Sequence, residues 1–199
     1  MISILFPIYN QILDINTFEN DFRNCINSII NQTFKKYELL IGLKSNLENI
    51  DILKKYEKDN IKFFYFKNLN SKKDLLNELL KQSQYEWIST IELSYIWLPN
   101  KLEKQLEYVK EYDVIGTNAC FNISIPNNII VKKIPFYNIS KMNFTNENLI
   151  LKNTYLIKKE LYILENNHEN LENELFLKLK NKNKKFYNIP DILVKSMNF

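Results

Sequence analysis

Short runs of β-forming residues alternate with amphipathic stretches of helical period over residues 1–118, and this alternation constrains the fold more than any other feature of the chain. A strand, helix, strand alternation joins parallel strands, so it predicts an α/β fold with a mostly parallel central sheet flanked by helices. The predicted strands are Ile2–Phe6, Tyr37–Leu43, Ile61–Phe66, Glu86–Ile91 and Asp113–Thr117. The helices predicted between them are Glu19–Asn31, Leu47–Lys58, Lys72–Ser83 and Asn100–Glu111.

Two of these helices carry recognisable start signals. Ser71 followed by Asp74 resembles a capping box, in which each side chain bonds a backbone amide at the helix start. Pro99 suits the first turn of a helix, because its missing N–H has no partner there in any case. The buried face of that helix is predicted to be Leu102, Leu106 and Val109.

The pattern becomes less regular from about Ala119 onward. The predicted strands there are Phe121–Ile125, Asn128–Val131, Tyr155–Ile157, Lys185–Ile189 and Ile192–Val194, with a helix over Leu171–Lys182. No linker or repeat separates this half from the first, and 199 residues suit one domain with a large core.

Composition argues against several classes of function. With only Gly42 and Gly116, the chain has no phosphate-binding glycine loop, and its net charge of +4 is scattered, which argues against nucleic-acid binding. Cys25, Cys120 and His168 lack zinc-ligand spacing, and both thiols are predicted to be reduced core residues. No signal peptide or apolar run long enough to span a membrane is apparent, so we expect a soluble, cytoplasmic protein.

Four segments resemble family 2 glycosyltransferases with the GT-A fold. They are ISILFPIYN at the first strand, CINSIINQTFKKYELLIG from Cys25, YEWISTIELSYIWLPNKLEKQ from Tyr85, and ENELFLKLKNKNKKFYNIPDILVKS near the end. They cover most of the chain in the family's order. The resemblance therefore implies a single GT-A domain over residues 1–199, with a nucleotide-binding half (1–118) and an acceptor-side half (119–199).

The resemblance implies donor contacts at the exits of the first two strands. Pro7, Tyr9 and Asn10 match the loop that packs against the nucleotide base, although a loop that merely supports the site explains them equally well. After the second strand the family usually has two aspartates, and this chain has Leu43 and Lys44. Lys44 is expected either to place a cation near the diphosphate or to face water.

The family's Asp-x-Asp motif, which binds the ribose and a divalent ion, aligns with Glu92-Leu93-Ser94. Glu92 keeps one carboxylate, but Ser94 offers only a neutral hydroxyl. The resemblance therefore implies Mn²⁺ or Mg²⁺ as cofactor, and the substitution predicts that Glu92 holds it weakly or not at all.

Three further residues are carried over from the family. Glu172 matches the general base that deprotonates the acceptor hydroxyl, and it is explained equally well as an acidic residue in a first helical turn. Asn77 matches a family asparagine whose arginine neighbour is here Leu76. Trp97 is expected either to shape the donor or acceptor pocket or to anchor the core.

Two functions remain open. One is an inverting glycosyltransferase that moves a sugar from a nucleoside diphosphate-sugar to a hydroxyl of a glycan or protein, with Glu172 as base. The other is a catalytically degenerate GT-A-fold binding or scaffold subunit that partners an active glycosyltransferase, because the aspartates expected at Leu43, Lys44 and Ser94 are all missing.

Overall fold

The computed structural model describes residues 1–9, 14–44, 51–122, 129–132, 150–151, 153–162 and 171–197. The strands are β1 (Ile2–Ile8), β2 (Tyr37–Lys44), β3 (Ile61–Phe66), β4 (Trp87–Thr90), β5 (Tyr95–Trp97), β6 (Val114–Asn122), β7 (Ile129–Lys132), β8 (Leu156–Lys158) and β9 (Phe186–Ser196). The helices are α1 (Ile15–Ile30), α2 (Asp51–Lys54), α3 (Lys72–Gln82), α4 (Lys101–Leu106) and α5 (Leu171–Asn181), with a 3₁₀ turn at Lys159–Leu161.

The strands form one mixed sheet in the order β3-β2-β1-β4-β8-β6-β9-β5, and β7 pairs with β6 outside this path. β1 pairs in parallel with both β2 and β4, and β2 pairs in parallel with β3. β8 is antiparallel to both β4 and β6, so it joins the parallel block to the second half of the chain. The predicted α/β fold with a mostly parallel first half is confirmed.

The two faces of β1 contribute to two separate hydrophobic cores. Ile4 and Phe6 belong to a core with α1, where Phe6 and Phe22 stack with ring centroids 5.9 Å apart. Leu5 points to the opposite core, which includes Leu79 of α3 and other residues of α3 and α5. Every β1 residue is buried and all but Ser3 are apolar, as expected for a strand that is covered on both faces of the sheet.

Capping residues determine where the helices begin more closely than the hydrophobic periodicity of the sequence does. The predicted capping box of Ser71 and Asp74 is present at α3. α1 starts earlier than the predicted Glu19, because the Asp14 carboxylate caps it by accepting from the backbone N–H groups of Asn16 and Thr17. Among the described residues α2 keeps only four residues of its predicted length, and α4 ends at Leu106 in a series of turns.

Two strand predictions need correction. No strand is predicted at β5, since three residues are too few to show an alternating pattern. Two strands, Lys185–Ile189 and Ile192–Val194, are predicted where β9 runs unbroken from Phe186 to Ser196. Its register against β6 shifts on either side of Asn118, and this irregularity accommodates a proline that cannot donate a ladder hydrogen bond.

The start of α4 buries a lysine that periodicity assigns to solvent. Lys101 has no exposed surface, whereas the predicted face residues Leu106 and Val109 are only half-buried. The Lys101 ammonium lies 3.8 Å from the centroid of the Trp97 ring and donates to Gln105 Oε1 at 2.8 Å. Burial lowers the pKa of Lys101 well below its ordinary value.

Candidate functional site

The first four strands end at one edge of the sheet, which is where ligands collect in open α/β folds. The β1 and β2 registers pair Pro7 with Gly42 and Ile8 with Leu43. Ile91, just after β4, donates its backbone N–H to the Leu5 carbonyl at 3.0 Å. The carboxyl ends of β1, β2 and β4 are therefore neighbours, and β3 lies beside β2 in the same direction.

The loop before α3 is tied to the exit of β1. The Tyr9 hydroxyl donates to the Asn70 carbonyl at 2.7 Å, while the Asn70 and Ser71 amides donate to the Asp74 carboxylate at 3.1 and 2.9 Å. Tyr9 therefore joins the exit of β1 to the segment that leads into α3. Pro7 is buried within β1, and Asn10 lies outside the described residues.

An ion pair joins α3 to the loop after β4. Lys72, the first residue of α3, places its ammonium against the Glu92 carboxylate, with the two side chains 36% and 30% exposed. No local pattern predicts this contact, because the partners are far apart in the chain and lysine is abundant. The carboxylate expected to bind a metal or ribose is thus already paired with a cation.

Hydrogen bonds to the Glu92 and Ser94 carbonyls hold the backbone of the segment Glu92–Ser94 in place. The Glu92 carbonyl accepts from the Cys25 thiol at 3.7 Å and from the Tyr95 amide at 3.3 Å. Ser94 adopts a φ of 76°, and its carbonyl accepts from the Met197 amide at 2.6 Å. This left-handed conformation is uncommon for serine, and the contact from the end of β9 helps to fix it.

The donor atoms that the described residues offer at this edge do not fit a divalent metal ion. Mn²⁺ and Mg²⁺ prefer several oxygen ligands, including carboxylates. Glu92 offers one carboxylate, which Lys72 neutralises, and Ser94 offers a neutral hydroxyl. Within the described parts of the chain, no group of three or more histidine, cysteine, aspartate or glutamate residues is arranged to hold a metal.

For three of the predicted site residues, the structure gives only the position of the backbone or the degree of burial. Lys44 is the last residue of β2 and pairs with Phe66, and Glu172 is the second residue of α5, but both side chains lie outside the description. Asn77 is half-buried on α3, beyond Lys72.

Trp97 lies in the core. Trp97 is 1% exposed, and its indole N–H donates to the Asn153 carbonyl at 3.0 Å. Its backbone N–H donates to Ser28 Oγ at 3.1 Å. Burial this complete supports the core-anchor interpretation over contact with a ligand.

A cavity of about 470 Å³ lies between α1 and the carboxyl ends of β6 and β9, away from the edge just described. It is lined by Asp21, Asn24, Cys120 and Lys195 among others. The prediction that both thiols are core residues is therefore correct for Cys25, which is fully buried, and wrong for Cys120, which is half-buried beside this cavity. Burial raises the pKa of Asp21.

None of the helices in the described ranges is both long and apolar enough to cross a membrane.

Known proteins resemble the chain in both sequence and fold. The O-antigen biosynthesis glycosyltransferase WbnJ of Escherichia coli is 26% identical over 175 residues, which cover 81% of this chain and 65% of WbnJ. TarS of Staphylococcus aureus (residues 1–349), crystallised with UDP-GlcNAc, matches 98% of the chain with a TM-score of 0.73 at 16% identity, over 58% of its own length. The mannosyltransferase PcManGT of Pyrobaculum calidifontis, in complex with GDP-Man and Mn²⁺, gives a TM-score of 0.69 at 10% identity, covering 98% of this chain and 56% of its own.

The matches cover only part of the relatives, since the chain spans between 16% and 65% of the length of the curated relatives it matches. The model of the family described as glycosyl transferase family 2 matches residues 3–192. This match takes in the whole described sheet up to the last residues of β9, and the structural neighbours share the GT-A fold. The chain therefore belongs to glycosyl transferase family 2.

Proposed function

We propose that the chain is an inverting glycosyltransferase that transfers a sugar from a nucleoside diphosphate-sugar to a hydroxyl of a glycan or protein. The single observation that carries the proposal is the convergence of Tyr9, Lys72 and Glu92 at the carboxyl edge of a family 2 sheet. The solved neighbours that contain UDP-GlcNAc and GDP-Man indicate nucleotide-sugars as the ligand class to test first. We treat residues 1–199 as one domain.

Glu172 is the proposed base in this reaction. It takes the proton from the acceptor hydroxyl, whose oxygen attacks the anomeric carbon as the bond from that carbon to the diphosphate oxygen breaks. The departing diphosphate carries the negative charge, so positive groups near it stabilise the transition state. Pro7, Tyr9, Asn10, Lys44, Asn77 and Ser94 are proposed to line the donor site around Glu92, whereas the burial of Trp97 gives it a supporting role.

The alternative is a catalytically degenerate subunit that partners an active glycosyltransferase. It is favoured by the pairing of Glu92 with Lys72 and by the neutral Ser94, which together leave the usual metal position without a free carboxylate in the described residues. It predicts binding to a second glycosyltransferase and no sugar transfer.

Donor binding and turnover distinguish the two functions. The chain would be titrated with UDP-, GDP- and dTDP-sugars, with Mn²⁺ and with EDTA, and then assayed for donor hydrolysis and for transfer to hydroxyl acceptors. We expect binding of one donor and slow hydrolysis even without an acceptor. A folded protein that binds no donor and turns none over under any of these conditions would rule out the transferase and leave the subunit function.

A further inference from the structure

We infer that Lys72, held at the sheet edge by Glu92, supplies the positive charge that the donor diphosphate requires, so that this chain binds its donor without a divalent ion. This rests on the proposed function, because it concerns the same site. The observation behind it is the ion pair between Lys72 and Glu92, the residue that the resemblance aligns with the first position of the family's Asp-x-Asp motif.

The ion pair contributes little to the stability of the fold. Both side chains are about one third exposed, and solvent screening leaves pairs of this kind with little effect on stability. Lys72 also stands in the first turn of α3, where the helix dipole disfavours a cation. A lysine at this place therefore adds little to the stability of the fold, which is consistent with a role in binding an anionic ligand.

The geometry leaves the ammonium able to bind that anion. A lysine ammonium has three donors, and Glu92 needs only one or two of them. The capping box of Ser71 and Asp74 fixes the backbone that carries Lys72, while the Tyr9 bond to Asn70 ties the same segment to β1. The cation is thus positioned by the fold before any ligand arrives, which reduces the ordering cost of binding.

The role of Glu92 in this arrangement is opposite to that of a metal ligand. As a metal ligand it would be required for binding, and its neutralisation would weaken the complex. As the partner of Lys72 it competes with phosphate for the ammonium. The sign of the effect of Glu92→Gln on nucleotide affinity therefore separates the two roles.

The test is isothermal titration of the full chain with UDP, GDP and dTDP, in EDTA and in excess Mn²⁺. We expect the nucleotide that binds to do so equally well in both buffers. Lys72→Met should weaken it about 10- to 100-fold, as expected for the loss of a charged hydrogen bond, and should leave binding of the bare nucleoside unchanged. Glu92→Gln should keep or raise the affinity.

Lys81→Met is the matched control, because Lys81 lies on the same helix and pairs with Glu78. It should bind the nucleotide as the wild type does, and thermal unfolding would verify that all variants fold. Binding that requires Mn²⁺, is lost in Glu92→Gln and is unaffected by Lys72→Met would overturn the inference while leaving the proposed function intact. If no nucleotide binds the wild type in either buffer, the proposed function itself fails and the inference with it.

Discussion

Replacing the buried Lys101 by methionine should change how the stability of the protein depends on pH. The Lys101 ammonium is enclosed by the Trp97 ring, Gln105 Oε1 at 2.8 Å and Ser89 Oγ at 3.4 Å. No carboxylate of the described residues forms an ion pair with it. Desolvation therefore dominates and lowers its pKa well below the ordinary 10.5.

The sign of the effect follows from proton linkage. Between the lowered folded pKa and the unfolded value of 10.5, the unfolded chain binds a proton at Lys101 that the folded chain does not. The free energy of unfolding then rises with pH, by up to about 1.4 kcal/mol per pH unit for one proton. Below the folded pKa this contribution to the slope disappears.

Methionine keeps the unbranched side chain that packs against Trp97 but cannot titrate. It also leaves Gln105 Oε1 without its donor, at a cost of about 1–3 kcal/mol that does not vary with pH. Urea denaturation of both proteins from pH 7 to 10 gives the difference in unfolding free energy, in which the titration of all other groups cancels. We expect the free energy of unfolding of the wild type to increase relative to that of Lys101→Met as pH rises.

The control is Lys104→Met, three residues further along α4, whose side chain is 35% exposed and paired with Asp191. The hydrogen bond to Asp191 raises the pKa of Lys104, so its contribution is lost, not gained, as pH rises through that raised value. A difference curve for Lys101→Met that is flat from pH 7 to 10 would show that Lys101 keeps its proton in the folded state, and would refute the argument from burial.

Three further predictions concern the base, the sheet packing and the thiols. Glu172→Gln should lower the transfer rate about 10²- to 10⁴-fold in a donor turnover assay, with Glu174→Gln as control, and an undiminished rate would reject Glu172 as base. Gly42→Ala should lower the free energy of unfolding by about 1–3 kcal/mol in urea titrations, because the added methyl would lie 2.7 Å from Leu75 Cδ1 and 3.0 Å from Leu79; an unchanged midpoint would mean that α3 moves freely. A disulfide exchange reagent should label Cys120 quickly and Cys25, whose pKa is raised by burial, only after unfolding, so fast labelling that persists in Cys120→Ser would contradict the burial of Cys25.

The parts of the fold that sequence predicts are those with a strong local pattern. β1 is a buried strand in which Ser3 is the only polar residue, and the Ser71 and Asp74 capping box lies within four residues, so both can be predicted without tertiary information. β5 has three residues, and β9 continues through Pro190 by an irregular register, so neither has a local signature. These depend on pairing with distant strands.

The candidate site likewise contains residues that the sequence indicates and residues that it does not. The resemblance assigns Tyr9 and Glu92 to the donor site, which stays a prediction, and the structure shows Tyr9 bonded to Asn70 and Glu92 paired with Lys72 at the carboxyl edge of the sheet. The resemblance did not indicate Lys72, because its partner is twenty positions away and nothing local marks it. The burial of Lys101 also has no local sequence signal, since a lysine in an amphipathic helix is ordinarily assigned to the solvent-exposed face.

The pairing of β9 also determines when the chain can fold during synthesis. β5 pairs with the end of β9, so that Tyr95 lies opposite Ser196, and β6 pairs with β9 along most of its length. At about 5–20 residues per second, the ribosome delivers β9 roughly 5–20 s after β5. Throughout that interval the nascent chain carries unpaired strand edges, which bind other strands or chaperones. The emergence of β9 therefore ends the period in which these strand edges are most exposed to aggregation.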